Sequence, residues 1–230
     1  MANSGRLLSC TNPPKDFIAF WQCVGDPELY HRGVEPITVF VLAGGRSSRM
    51  GVDKAFLELG GKPLIARAVQ LARGVTPDVR IVGDPEKYAP YAPAVSDRFV
   101  GRGPLGGIHA ALTASSSDLS LILAVDLPFL DERFLSYLIA QAAVSGATVT
   151  VPSTDGYFQP LCAAYRRQFA DVAEQALEAG RNKIDALFRS VRLRIIPEEE
   201  LKGNGFSMSM FRNLNTPEEW GAAKREFPRG

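Results

Sequence analysis

Residues 44–54 set three glycines, Gly44, Gly45 and Gly51, among three cations, Arg46, Arg49 and Lys54. Glycine lets the backbone come close to a ligand and aim successive N–H groups at it, which makes an anion-binding concavity. Cations on the same loop suit a polyanion such as a triphosphate. The alternative is a solvated turn that happens to be basic. The loop is not a Walker A motif: no Gly-Lys-[Ser/Thr] closes it, and Gly61-Lys62-Pro63 has neither the spacing nor the hydroxyl.

A second chemical residue is Asp126, which ends the apolar run LSLILAV and opens Asp-Leu-Pro-Phe-Leu. A carboxylate placed there suits Mg²⁺, which commonly takes one or two carboxylates together with phosphate oxygens and water. The competing role is a helix N-cap ahead of Glu132, although Asp131 stands closer for that. Asp97 follows the short strand expected at residues 94–96 and is open to a nucleotide-binding or a surface-turn role. Gly101-Arg102-Gly103-Pro104-Leu105-Gly106 fits G-x-G-x-x-G, with Asp126 near the distance of a dinucleotide fold's ribose-binding acid. That match is set aside, because polar Ser96–Phe99 precedes it and the first strand already carries a better phosphate loop.

The elements that must hold these residues follow from apolar periodicity. Residues 37–43 (ITVFVLA) form a continuous β-branched run, as a strand buried on both faces does. Similar runs at 79–82, 119–125 and 147–151 alternate with helical patterns at 64–73, 105–114 and 132–144. Further on, 159–165 and 191–196 read as strands, 168–179 and 217–226 as helices. Alternating strands and helices predict an α/β fold: a three-layer α/β/α, doubly wound, mostly parallel sheet. Such sheets bind ligands beyond the carboxyl ends of their strands. Chemistry is therefore expected in the loops after Ala43, Val82, Ser96 and Val125.

Bulk properties remove several function classes. The chain has 230 residues, 46% hydrophobic and 22% charged, with a formal net charge of +1. No bulk field is present to draw nucleic acid or an anionic membrane, so phosphate binding must be local. Cys10, Cys23 and Cys162 lack metal-ligand spacing and read as reduced thiols. Neither His31 nor His109 is assigned a catalytic role, and Cys162 reads as core. The absence of a long apolar run and of a basic-then-apolar start predicts a cytoplasmic protein. Residues 1–36 lack a sustained period, apart from a short helical pattern at 16–24, and read as an extension to a domain at 37–230. The extension either packs on the domain or docks a partner.

LAGGRSSRMGVDKAFLELGGKPL resembles the signature loop of nucleotidyltransferases with a Rossmann-like fold, in its molybdenum cofactor guanylyltransferase form. GPLGGI at 103–108 is similar to the Gly-Pro-Leu-[Ala/Gly]-Gly-[Ile/Met] loop of that family. The resemblance covers roughly residues 37–226. It implies transfer of GMP from GTP to the terminal phosphate of molybdopterin, with loss of pyrophosphate and with Mg²⁺ as cofactor. It further implies that the Leu42, Ala43 and Gly44 backbone meets base and ribose, that Gly45 and Gly51 shape the loop, and that Arg49 and Lys54 hold the triphosphate. Asp126 would bind magnesium, Asp97 would contact the nucleotide, and Gly103, Pro104 and Leu105 would border it. Gly83 falls where some members carry an asparagine near guanine, a departure that weakens side-chain base readout there. Asn213 and Asn215 match the family's Asn-x-Asn on the acceptor side and alternate on an extended segment, so they face the same way. Thr216-Pro217 after them reads as a helix start. Expected partners are GTP, molybdopterin and other proteins of cofactor biosynthesis or delivery. Two alternatives stay open: a cytidylyltransferase or other nucleotidyltransferase with a different phosphate acceptor, and a non-catalytic nucleotide-binding module.

Overall fold

Six consecutive buried residues make Ile37–Leu42 (β1) the strand around which the domain is organised. The computed structural model describes residues 36–44, 53–214 and 216–227, with the side chain of Pro217 excepted. The readings made for residues 1–35, for Gly45, Arg46, Arg49 and Gly51, and for Asn215 therefore fall outside the described residues.

In chain order, a single 3-10 turn at Lys54–Phe56 leads into a hairpin of β2 (Glu58–Leu59) and β3 (Lys62–Pro63). Gly60 and Gly61 make its two-residue turn with φ of 57° and 74°, the left-handed pair that a tight hairpin requires. Helix α1 (Leu64–Arg73), β4 (Val79–Val82), the one-turn α2 (Pro85–Tyr88) and β5 (Ala94–Val95) follow. Next come α3 (Pro104–Ala114), β6 (Leu119–Ala124), α4 (Glu132–Ser145) and β7 (Val149–Thr154). Then come β8 (Tyr157–Phe158), β9 (Cys162–Arg166), α5 (Phe169–Glu178), α6 (Ile184–Leu187), β10 (Leu193–Ile196), α7 (Glu198–Gly203) and α8 (Pro217–Glu226).

The sheet runs β10-β7-β9-β6-β1-β4-β5, with β8 paired to β7. β1 is parallel to β4 on one side and to β6 on the other. Because the chain leaves β1 in one direction and returns on its far side, the carboxyl ends of β1 and β6 flank the point where the winding reverses. Side chains alternate across the sheet. Phe40, Leu42 and Ile122 pack with Leu105 and Ile108 of α3 and Phe169 and Ala173 of α5, while α1 and α4 cover the opposite face. The three-layer α/β arrangement is the one expected.

Three pairings depart from the parallel pattern. β9 is antiparallel to both β6 and β7, and β8 is antiparallel to β7. The cause is the Asp155-Gly156 turn, with φ of 51° and 77°, which returns the chain at once. Parallel neighbours need a crossover of a dozen or more residues, and two cannot supply one.

The C-terminal helix α8 carries a complete capping box. Thr216 Oγ1 accepts from the Glu219 amide at 3.2 Å, and the Glu219 carboxylate accepts from the Thr216 amide at 2.9 Å. Thr216→Ala is expected to cost about 1 kcal/mol, read as a lower urea midpoint at unchanged slope. Trp220 and Ala223 of this helix pack with Leu59, Leu64 and Leu214, so α8 is docked on the β2–β3 hairpin.

Candidate active site

The strand-end rule brings two charges together. The Val125 amide donates to the Leu42 carbonyl at 3.2 Å, extending the β1–β6 ladder by one residue and setting Asp126 beside the exit of β1. Lys54, which opens the 3-10 turn, points its ammonium at the Asp126 carboxylate from 3.8 Å. Both side chains are about three-quarters buried (22% and 25% exposed). Burial pushes the Asp126 carboxyl above the usual carboxylate range, against the opposing pull of Lys54 and of a backbone hydrogen bond. At that separation Lys54 compensates the carboxylate only in part.

Around this pair lies a cleft of about 620 Å³, lined by Leu42, Ala43, Gly44, Lys54, Gly83, Asp97, Gly103, Pro104 and Asp126 among others. Candidate residues from four separate loops thus line one cleft. Two do not. Leu105 is fully buried, packed into the core beneath the first turn of α3. Asn213 is exposed and does not line the cleft. Its neighbour Leu214 is anchored in the hairpin–α8 cluster, against which Val125 also packs.

The described ends of the glycine-rich loop are tightly held. The amides of Ala43 and Gly44 both donate to the Val82 carbonyl, at 3.0 and 3.1 Å. Those two donors are committed to the sheet. Asp53 caps the 3-10 turn by accepting from the Ala55 amide at 2.9 Å. It also meets the Lys87 ammonium.

The opposite wall is the start of α3. Gly103 takes φ of 72°, Pro104 occupies the first turn, and among the described residues no side chain makes a capping hydrogen bond to the helix N-terminus. Asp97 accepts from the Phe99 amide at 2.8 Å. Its carboxylate lies where a Cβ on Gly106 would stand, 2.7 Å away. The G-x-G-x-x-G loop therefore follows β5 at the sheet edge, whereas a dinucleotide fold puts its fingerprint on the central strand.

Sequence reasoning missed Tyr88, Asp53, Val100 and Leu161. Val100 and Leu161 add apolar surface to the cleft, and Val100 is 85% exposed. A readable signal for Tyr88 existed: Asp84-Pro85-Glu86 is a helix start, and Asp84 accepts from the amides of Glu86 and Lys87. Cys162 is buried, and burial raises its thiol pKa, as fits a core residue. His109 is buried on α3, edge-on to Phe99. Among the described residues no cluster of three or more His, Cys, Asp or Glu is disposed to hold a metal, and no helix is long and apolar enough to cross a membrane.

Residues 39–198 match the family model of the MobA-like NTP transferase domain. The chain belongs to the MobA-like NTP transferase family. Within it, the molybdenum cofactor guanylyltransferase of Desulfosudis oleivorans is 34% identical, covering 86% of this chain and 98% of its own length. The crystal structure of molybdopterin-guanine dinucleotide biosynthesis protein A from Archaeoglobus fulgidus superposes with a TM-score of 0.72 at 29% identity, covering 82% and 97% of the two chains. A Thermus thermophilus 2-C-methyl-D-erythritol 4-phosphate cytidylyltransferase has a TM-score of 0.61 at 16% identity, covering 84% and 98%. That likeness is one of fold alone. The MobA-like family assignment agrees with the resemblance read from the loop and from GPLGGI.

Proposed function

We propose that this chain transfers GMP from GTP to the terminal phosphate of molybdopterin and releases pyrophosphate. The observation that carries the reading is the Lys54–Asp126 pair, which lines one cleft together with Leu42–Gly44 at the end of β1 and Gly103–Pro104 at the start of α3. Its chemistry fits what two polyanions need. A monoester phosphate, with a second pKa of about 6, is largely dianionic at neutral pH and attacks without a general base. None of the described residues lining the cleft is a histidine or cysteine.

In the reaction an acceptor phosphate oxygen forms a bond to the α-phosphorus while the bond to the β-phosphate oxygen breaks. The pyrophosphate leaves with that electron pair. Lys54, with Arg49 on the same loop, stabilises the departing charge, and the cleft walls hold the two phosphates in line. Asp97, Gly103 and Pro104 border the nucleotide. By the family resemblance Asn213 and Asn215 belong to the acceptor side; Asn213 is exposed beside the buried Leu214 and outside the cleft described above.

Asp126 is the residue that would hold Mg²⁺. A carboxylate only partly compensated by Lys54, in a cleft that would admit phosphate oxygens, fits that ion's preference for few protein ligands. When bound, the ion supplies charge neutralisation and polarisation at the phosphates.

The test is thermal stabilisation by GTP, CTP, ATP and UTP with and without Mg²⁺. A ligand at one hundred times its Kd adds about 2.7 kcal/mol to the folded state. A shift largest with GTP, enlarged by Mg²⁺ and lost in Lys54→Ala, is expected. A larger shift with CTP would move the function to cytidylyl transfer, and no shift with any triphosphate would contradict nucleotide chemistry altogether.

A further inference from the structure

The two stems of segment 44–52 meet at one oxygen. The Tyr88 hydroxyl lies 3.0 Å from the Ala43 carbonyl, just before the segment, and 3.2 Å from Oδ2 of Asp53, just after it. A phenol has one proton to give, so the two acceptors share it. The ring that carries this hydroxyl is 2% exposed and cannot swing away. It stacks on Phe56 with centroids 5.7 Å apart and planes 1° from parallel. On its other side it fills the space in which residue 83 would carry a side chain: a Cβ on Gly83 would stand 2.5 Å from its Cε2. The helix that presents Tyr88 is a single turn, started by Asp84 and Pro85. None of the chemistry above uses this group.

We propose that Tyr88 is a positioning residue for triphosphate transfer. Its hydroxyl ties the two stems of the glycine-rich segment, and through Asp53 it sets Lys54 against Asp126. The inference rests on the nucleotidyltransferase reading. Three steps connect the phenol to the cleft. Asp53 is held by Tyr88 and Lys87, Asp53 caps the 3-10 turn through the Ala55 amide, and Lys54 is the first residue of that turn. Closing a loop costs conformational entropy that grows with its length. A clamp at the stems meets that cost during folding, so less remains to be spent when a triphosphate binds. Burial, aided by Asp53 and Asp84, raises the Tyr88 pKa, so the phenol keeps its proton across the neutral range.

The experiment compares wild type, Tyr88→Phe, Asp53→Ala and the double variant. Tyr88→Phe keeps the ring, its stack on Phe56 and its fit over Gly83, and removes the hydroxyl alone. It is expected to melt within a few degrees of wild type, since a single hydrogen bond contributes modestly to folding. Its KM for GTP is expected to rise roughly tenfold, the scale of a hydrogen bond to a charged partner, with the acceptor KM unchanged. The double variant is expected to be no worse than the worse single one, because both changes break the same connection. A Tyr88→Phe enzyme with unchanged KM for GTP, whether or not kcat falls, would overturn the proposal, since loss of folded protein lowers apparent kcat alone. Additive effects of the two changes would overturn it equally. Wild type is the internal reference: no GTP turnover there counts against the guanylyltransferase reading. The same four-way comparison, read as triphosphate binding by thermal shift, would then still decide the clamp.

Discussion

Asp126→Asn is expected to lower turnover by roughly two to three orders of magnitude, the scale seen when a charge-stabilising group is removed from a transition state. The KM for GTP should move far less, because a metal-holding carboxylate acts mainly on charge that develops during the reaction. The same variant is expected to melt higher than wild type at pH 7. Burial raises the Asp126 carboxyl pKa in the folded state. The ionised carboxylate is thus disfavoured by folding, and the protein loses stability as pH rises through the folded pKa. A neutral amide of the same shape removes that cost at pH 7. Below the unfolded carboxyl pKa both proteins carry a neutral group, and the advantage should disappear. The attraction of Lys54 is already contained in that net shift, in which burial outweighs it. Steady-state kinetics and melting curves at pH 7 and pH 3 check both halves. Unchanged turnover with weakened GTP binding would remove Asp126 from the reaction.

Gly83→Asn carries the largest expected stability loss. An asparagine there would reproduce what some family members hold near guanine, yet the site has no room for it. Its Cβ would stand 2.5 and 2.9 Å from two carbons of the buried Tyr88 ring. Overpacking of this kind costs roughly 1–3 kcal/mol, or a fall in melting temperature of about 3–10 °C for a domain of this size. Tyr88→Ala carries its own loss, that of a buried aromatic ring, yet the double variant should be less destabilised than the sum of the two singles, because the contested volume is then empty. Calorimetry of both single variants and the double variant tests this. If Gly83→Asn melted like wild type, the ring would not be the obstacle that the packing implies.

Much of the fold was readable because its elements obey simple periods. The helix expected at 64–73 and the strand expected at 79–82 have the observed limits, and α3, α4 and β6 differ by one residue at an end. What periodicity cannot convey is strand direction. β9 is as buried as the strands on either side of it, so its apolar run looks the same in either orientation. The Asp155-Gly156 turn held that information and was passed over. Gly61-Lys62-Pro63, likewise, was weighed and rejected as a phosphate motif, and it belongs to the β2–β3 hairpin.

At the site, residues that follow strands were legible because the ends of adjacent parallel strands must converge. Leu42, Ala43, Gly44, Gly83 and Asp126 reach the cleft for that reason. Leu105 faces the core because the first turn of α3 must also bury a side chain against the sheet. Tyr88 was not legible as part of the site. Its two hydrogen-bond partners lie 45 and 35 residues away in sequence, and only the folded chain joins them.

The most direct test of the central claim follows the α-phosphorus itself. The purified protein is incubated with Mg²⁺, molybdopterin and either GTP or CTP labelled at the α-phosphate, with pyrophosphate measured alongside. Label from GTP is expected in a molybdopterin dinucleotide, with one pyrophosphate released per product and roughly two to three orders less of both per unit time from Asp126→Asn. Label entering the product only from CTP, or no pyrophosphate with either nucleotide, would contradict that claim.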